Sequence, residues 1–268
     1  MDFPFFLLVA FLCLGLFTGF MAGLLGIGGG LVLVPSLVVL FSNANLFETE
    51  RLMHMALGTS MATIIFTSLA SAIAHQRFHN IEWQLVKNIG VGVLLGTWLG
   101  AFLAKIIPPQ PLAIFYTAFV VFTAANMVMN LNAEPRGSIP RPIWQGLAGG
   151  FIGALSAIVS IGGGSLIVPF LHYCGVPIKR AIGTSSAIGV AVAFGGTLGY
   201  VYNGWAESTS AWEWGYVYVP ALIVLLIASH LTAPLGALCT QKWPIKRIKQ
   251  IFALLLVILA IRMLAEFF

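Results

Sequence analysis

Two copies of a glycine-rich motif are the residues whose types and spacing best suit ligand binding in this sequence. Residues 26–35 read GIGGGLVLVP, and residues 160–169 read SIGGGSLIVP. Three consecutive glycines disfavour a helix interior by about 1 kcal/mol each relative to alanine, so each copy predicts a break that opens a new helix. Unpaired amides at a helix N-terminus, together with the helix dipole, can bind an anion without any charged side chain. We therefore predict an anion site formed by Gly28, Gly29, Gly30, Gly162, Gly163, Gly164 and Ser165.

A second repeated motif could supply hydroxyl donors to the same ligand. It occurs as Gly58, Thr59 and Ser60 in the first half of the chain and as Gly183, Thr184 and Ser185 in the second. Hydroxyl groups and backbone amides together suit a tetrahedral or pyramidal oxyanion. The alternative is that these hydroxyls bond to carbonyls of their own helix, which is common in membrane proteins.

His230 lies in the middle of a charge-free run, where an ionisable side chain is costly. A role in proton coupling is one interpretation of this residue, and a neutral histidine bonded to a neighbouring helix is the other. We predict no catalytic residue, no metal ligand and no cofactor.

The elements that position these motifs are predicted from the composition. Apolar residues make up 59% of the 268, charged residues only 8%, and the mean hydropathy is +0.99. An ordinary soluble domain has about 25% charged residues, so a soluble enzyme, a nucleic-acid-binding protein and a disulfide-stabilised secreted protein are all disfavoured. Six long runs contain no Asp, Glu, Lys or Arg: 3–47, 52–76, 106–133, 142–178, 181–206 and 214–241. Because about 20 apolar residues span a bilayer as a helix, we predict an all-α polytopic membrane protein.

Ten apolar segments are predicted, and they divide into two repeats. We assign residues 1–131 to the first repeat, 132–142 to a linker and 143–268 to the second repeat, which together form one membrane domain. An odd number of about five segments per repeat gives the two repeats inverted topology, a plan common in secondary transporters. The segments after the glycines, near 31–42 and 165–174, are too short to cross alone, so we expect broken or re-entrant half-helices.

The cations predict the orientation. If alternate connections lie on alternate sides of the membrane, ten of the 13 Lys and Arg residues fall on one side. The positive-inside rule makes that side cytoplasmic and places both termini on the other side. If the two short segments do not cross the membrane, this bias becomes weaker but remains.

The paired glycine-rich, proline-terminated motifs resemble those of the TauE/SafE family of sulfite exporters and sulfonate permeases, and the resemblance covers residues 15–263. It implies a multi-pass transporter in the plasma (inner) membrane that moves sulfur-containing anions such as sulfite or organosulfonates. It also implies coupling to an ion gradient, either H⁺ or Na⁺. One departure bears directly on the site, since Leu31 stands where the second half has Ser165. The two half-sites therefore cannot be chemically equal.

We predict an exporter whose halves rock about an anion held at the repeat interface. An anion channel with the same site is the nearest alternative, and an intramembrane enzyme is a more distant one. The expected partners are a small anion, a coupling ion and the lipid bilayer, with no nucleic acid; the oligomeric state is left open.

Overall fold

The computed structural model describes residues 5–26, 28–129, 137–242 and 245–268, without the side chains of 241–249. Its helices are α1 Phe5–Leu25, α2 Gly30–Asn43, α3 Thr49–Gln76, α4 Trp83–Ile106, α5 Pro109–Met129, α6 Pro142–Ile158, α7 Gly164–Tyr173, α8 Ile178–Gly204, α9 Val219–Lys242 and α10 Ile245–Leu264. A short 3₁₀ turn, Trp205–Glu207, and a two-stranded hairpin of β1 Glu213–Trp214 and β2 Val217–Tyr218 join α8 to α9. Part of the predicted linker, residues 132–136, lies outside the described residues.

Six of these helices, α1, α3, α4, α5, α8 and α9, are long and apolar enough to cross a bilayer. The predicted all-α polytopic membrane fold is confirmed. Helices α2 and α7 have only 14 and 10 residues and would extend about 21 and 15 Å, well short of the hydrocarbon core. Both contain an internal proline, Pro35 and Pro169, as the motifs require.

Glycines allow the outer helices to pack closely. The contacts between α1 and α9 run from Gly15 opposite Leu225 to Gly23 opposite Ala233, so these two helices are parallel. A Cβ atom at Gly15 would lie 3.0 Å from the Leu225 carbonyl oxygen, which leaves no room for a larger residue. Helix α6 packs against α4 through glycines in the same way. Small residues spaced one turn apart are typical of such membrane interfaces.

Helices α3 and α8 form the buried centre of the molecule and run in opposite directions. Near the middle of α3, Met61 lies against Gly196 in the second half of α8. Near the end of α3, the Ser71 hydroxyl lies 2.9 Å from that of Ser186 near the start of α8. These helices carry the two Gly-Thr-Ser motifs.

The polar ends of the helices define two faces. The terminal face contains residues 44–48, 106–108 and 205–218, and the C-terminus joins it because the Ser42 hydroxyl donates to Glu266 at 2.6 Å. The linker face contains residues 77–82, 137–141 and 174–177, where Arg180 pairs with Glu82 at 2.6 Å. Helix α1 starts from the terminal face and α2 returns to it, so the pair is a re-entrant hairpin. Helices α6 and α7 form the corresponding hairpin from the linker face.

Candidate anion site

The two glycine turns meet inside the protein. A Cβ atom at Gly28 would lie 3.0 Å from the Cα atom of Gly162, and one at Gly30 would collide with the Ser160 carbonyl. Gly28, Gly29 and Gly30 are buried, as are residues 160–164. The structure therefore brings Gly28 and Gly30 of the first turn against the second turn, and the other triplet glycines are buried beside them in the chain.

Backbone geometry explains why glycine is needed where each half-helix starts. The N-cap residues Gly29 and Gly163 have φ angles of 82° and 76°, in the left-handed region that side chains disfavour. The first hydrogen bonds of α2 run from the amides of Val32 and Leu33 to the Gly29 carbonyl. The corresponding bonds of α7 run to the Gly163 carbonyl.

The amides of the first two residues of each half-helix precede these bonds. They belong to Gly30 and Leu31 in α2 and to Gly164 and Ser165 in α7. The glycine N-caps have no side chain with which to cap them. A buried pair of helix N-termini built in this way can bind an anion with backbone amides.

Side chains of the long helices hold the turns in place. Thr67 of α3 donates to the Gly28 carbonyl at 3.0 Å, and Ser160 donates to the Leu57 carbonyl of α3 at 2.8 Å. Ser185, a predicted site residue on α8, lies 3.4 Å from the carbonyl oxygen of Gly26. Ser185 therefore lies beside the first glycine turn.

Two other predicted serines, Ser60 and Ser165, have buried hydroxyls without a hydrogen-bond partner in the described part of the chain. Ser60 has no exposed surface and Ser165 is 8% exposed. A buried hydroxyl normally finds a partner, so both are free to meet a ligand.

The other members of the Gly-Thr-Ser motifs contact the segments that lead into α9 and α4. Thr59 accepts a hydrogen bond from the Tyr218 amide at 2.9 Å, and Thr184 accepts one from the Glu82 amide at 3.0 Å. Gly58 lies against the Tyr216 carbonyl, and Gly183 lies against that of Asn80. These four residues join one half of the chain to the other near opposite faces. Their contact with a ligand stays a prediction.

His230 is exposed on the outside of α9. The structure does not bring it to the glycine turns or to the hydroxyl groups around them. A proton-coupling role for this residue also stays a prediction.

Three donors near the turns escaped the sequence analysis. The Tyr116 hydroxyl of α5 donates to the Leu31 carbonyl at 3.0 Å. A sequence signal for it exists, because Pro35 has no amide to pair with the carbonyl four residues earlier. His75 on α3 contacts the Gly23 carbonyl at 3.0 Å, and Tyr200 on α8 donates to the Ala157 carbonyl at 2.8 Å. Both of these bonds close the end of the helix that precedes a glycine turn.

Charged groups lie towards the two faces. On the terminal face, Arg51 pairs with Glu213 at 2.6 Å, and Lys105 lies 3.9 Å from Glu207. Burial and a hydrogen bond to Glu207 raise the pKa of the Tyr216 phenol well above its usual value. None of the Lys and Arg side chains that the structure describes is buried. The buried surroundings of the turns are therefore polar and contain no lysine or arginine among the described side chains.

Comparison with known proteins decides the family. The family model for the sulfite exporter TauE/SafE matches residues 11–263, nearly the whole chain. The chain belongs to the TauE/SafE family. The resemblance inferred from the paired glycine motifs is confirmed.

Relatives within the TauE/SafE family are named as transporters. A probable membrane transporter protein of Haemophilus influenzae is 38% identical over 94% of this chain and 97% of its own length. The probable membrane transporter protein YunE of Bacillus subtilis is 26% identical over 96% of this chain and 97% of its own length. One from Methanocaldococcus jannaschii is 27% identical over 98% of both chains. No solved structure matches the chain. The family and these names indicate a multi-pass membrane transporter.

Proposed function

We propose that this transporter exports sulfur-containing anions, such as sulfite or organosulfonates, across the plasma membrane. The family name supports the substrate class and the direction. The contact between the two buried glycine turns carries the proposal, since each turn starts a half-helix whose leading amides could bind an anion. A gradient of H⁺ or Na⁺ would drive the movement.

The proposed mechanism is alternating access between two inverted repeats of five helices. The packing of α1 on α9 is matched by that of α6 on α4, and α3 runs opposite to its counterpart α8. Each re-entrant hairpin starts from a different face. A two-fold axis in the membrane plane would relate the members of each of these pairs. Most of the described lysine and arginine side chains near helix ends lie at the linker face. We therefore place the linker face in the cytoplasm and both chain termini on the opposite side of the membrane.

A carrier fits the contact between Gly28 and Gly162 better than a channel does, because the two turns touch at the proposed site. In a carrier, the halves must separate at the turns before an anion can enter. An anion channel would instead hold them apart.

The test is anion flux into liposomes that contain the purified protein. Saturable uptake of labelled sulfite or methanesulfonate that depends on an H⁺ or Na⁺ gradient supports the carrier, and rapid unsaturated conductance supports the channel. Gly29→Leu and Gly163→Leu should each abolish flux, since leucine is strained at these φ angles and the two turns share one site. Correct membrane insertion of both variants is the control. Unchanged flux in both would refute the site.

A further inference from the structure

The donors that we assign to the anion at the glycine turns are electrically neutral. They are the four leading amides of α2 and α7 and the unpartnered hydroxyls of Ser60 and Ser165. Ser165 follows Gly164 in the first turn of α7, so its hydroxyl belongs to the same helix start as two of the amides.

Ser60 faces the turns from α3. It lies one turn from Leu57, whose carbonyl accepts the bond from Ser160, and one turn from Ile64. The Cδ1 atom of Ile64 would lie 2.8 Å from a Cβ atom at Gly30. Residues three and four apart share one side of a helix, so the Ser60 hydroxyl lies among the groups that line both turns.

No lysine or arginine side chain that the structure describes is buried around the turns. The buried titratable groups that the structure describes are two histidines, one glutamate, one cysteine and three tyrosines, with no lysine or arginine among them. The glutamate, Glu213, pairs with Arg51 at the terminal face. An anion at the turns would therefore be bound by dipoles and not by an opposite charge.

Dipoles alone discriminate between ions of different charge. The cost of removing an ion from water rises with the square of its charge, so a dianion pays about four times as much as a monoanion of the same size. Its attraction to fixed neutral donors only doubles. A site without a buried cation thus penalises the second charge.

We propose that this site selects singly charged oxyanions, such as alkanesulfonates and hydrogen sulfite, over doubly charged ones such as sulfate. The proposal rests on the anion transport proposed above. It assigns the substrate class by charge, and it gives Ser60 and Ser165 the role of neutral donors to the sulfonate oxygens.

The experiment compares uptake of labelled methanesulfonate and labelled sulfate by the same proteoliposomes. We expect uptake per unit concentration to be at least about tenfold higher for methanesulfonate, which corresponds to about 1.4 kcal/mol. Sulfate uptake within about threefold of methanesulfonate uptake overturns the charge selection while leaving anion transport intact. If the proteoliposomes take up none of methanesulfonate, sulfate and sulfite, the transport function itself is refuted.

Sulfite gives a second measurement on one ligand, because it changes from monoanion to dianion near neutral pH. The ratio of sulfite to methanesulfonate uptake should fall as the pH rises through that transition. Methanesulfonate keeps its single charge and corrects for any effect of pH on the protein or on the driving gradient. A constant or rising ratio overturns the proposal.

The two hydroxyls are tested by Ser60→Ala and Ser165→Ala. Each should raise the KM for methanesulfonate several-fold. Thr63→Ala is the matched control, since Thr63 is buried on the same helix as Ser60 but bonds to its own helix at the Thr59 carbonyl. An unchanged KM in both serine variants would remove Ser60 and Ser165 from the site.

Discussion

The hydrogen bond from Tyr116 to the Leu31 carbonyl should stabilise the protein, because Pro35 removes the backbone donor that this carbonyl would otherwise have. In an unbroken helix, the Leu31 carbonyl would accept from the amide of residue 35. Pro35 has no amide, and the fully buried Tyr116 hydroxyl takes its place at 3.0 Å. Tyr116→Phe therefore leaves a buried carbonyl oxygen without its donor.

The magnitude depends on which of two effects dominates. Hydrogen bonds between membrane helices contribute about 0.6 kcal/mol on average, since the unfolded chain also finds partners in the bilayer. A buried acceptor left unsatisfied costs about 1–3 kcal/mol. Here no second side-chain donor to the Leu31 carbonyl is present in the described part of the chain, so the penalty dominates. We expect Tyr116→Phe to lower the free energy of unfolding by about 1–2 kcal/mol.

A double-mutant cycle with Pro35→Ala tests the reason for this loss. Alanine restores the amide at residue 35, so Tyr116→Phe should cost about 1 kcal/mol less in the Pro35→Ala background. Unfolding by denaturant in detergent micelles, followed by tryptophan fluorescence, measures all four proteins. An equal loss in both backgrounds would contradict the proline explanation, and no loss in either would show that the bond is not stabilising.

Two further predictions concern the terminal face. Arg51→Met should destabilise the protein by about 3 kcal/mol, since it leaves the buried Glu213 carboxylate without its cation. Lys105→Met should cost less than about 1 kcal/mol, because its ion pair with Glu207 is long and about two-fifths exposed. The same unfolding assay checks both variants, and equal losses of stability would contradict the burial argument. The raised pKa of Tyr216 means that the folded protein holds this proton more tightly than the unfolded chain does, so stability should fall as the pH rises above about 10, the usual tyrosine pKa. Tyr216→Phe should make that fall shallower, and an unchanged pH dependence of unfolding would assign the effect elsewhere.

Local chemistry was sufficient to predict the breaks in the helices. Three consecutive glycines disfavour a helix interior, and their recurrence in both halves predicted two half-helices of the right length and place. The burial of the turns followed from the shortness of those helices. Each of these inferences needed only residues adjacent in the chain.

The role of the threonines in the second motif needed contacts that the sequence does not show. Thr59 bonds to the amide of Tyr218, and Thr184 bonds to that of Glu82, more than a hundred residues away in each case. A hydroxyl in an apolar helix gives no sign of whether it meets a ligand, its own helix or a distant loop. The packing of the segments before α9 and α4 against α3 and α8 decides among these, and local sequence does not encode that packing.

The hydrogen bonds near the turns divide into those that stay within one half of the chain and those that cross between halves. His75 to Gly23 and Thr67 to Gly28 stay within the first half, so they tie its turn to α3. Movement of α3 would carry that turn with it.

The bonds of Thr59 and Thr184 cross between the halves, and each lies towards a different face. Both are formed in this structure, and the turns touch. Rocking halves would therefore have to break one crossing bond while keeping the other in order to open a path to a single face. On this mechanism, Thr59→Val should favour opening to the terminal face and Thr184→Val should favour opening to the linker face. Cysteine accessibility measured from the two sides of the membrane separates these outcomes, and identical accessibility changes in the two variants would refute the rocking mechanism.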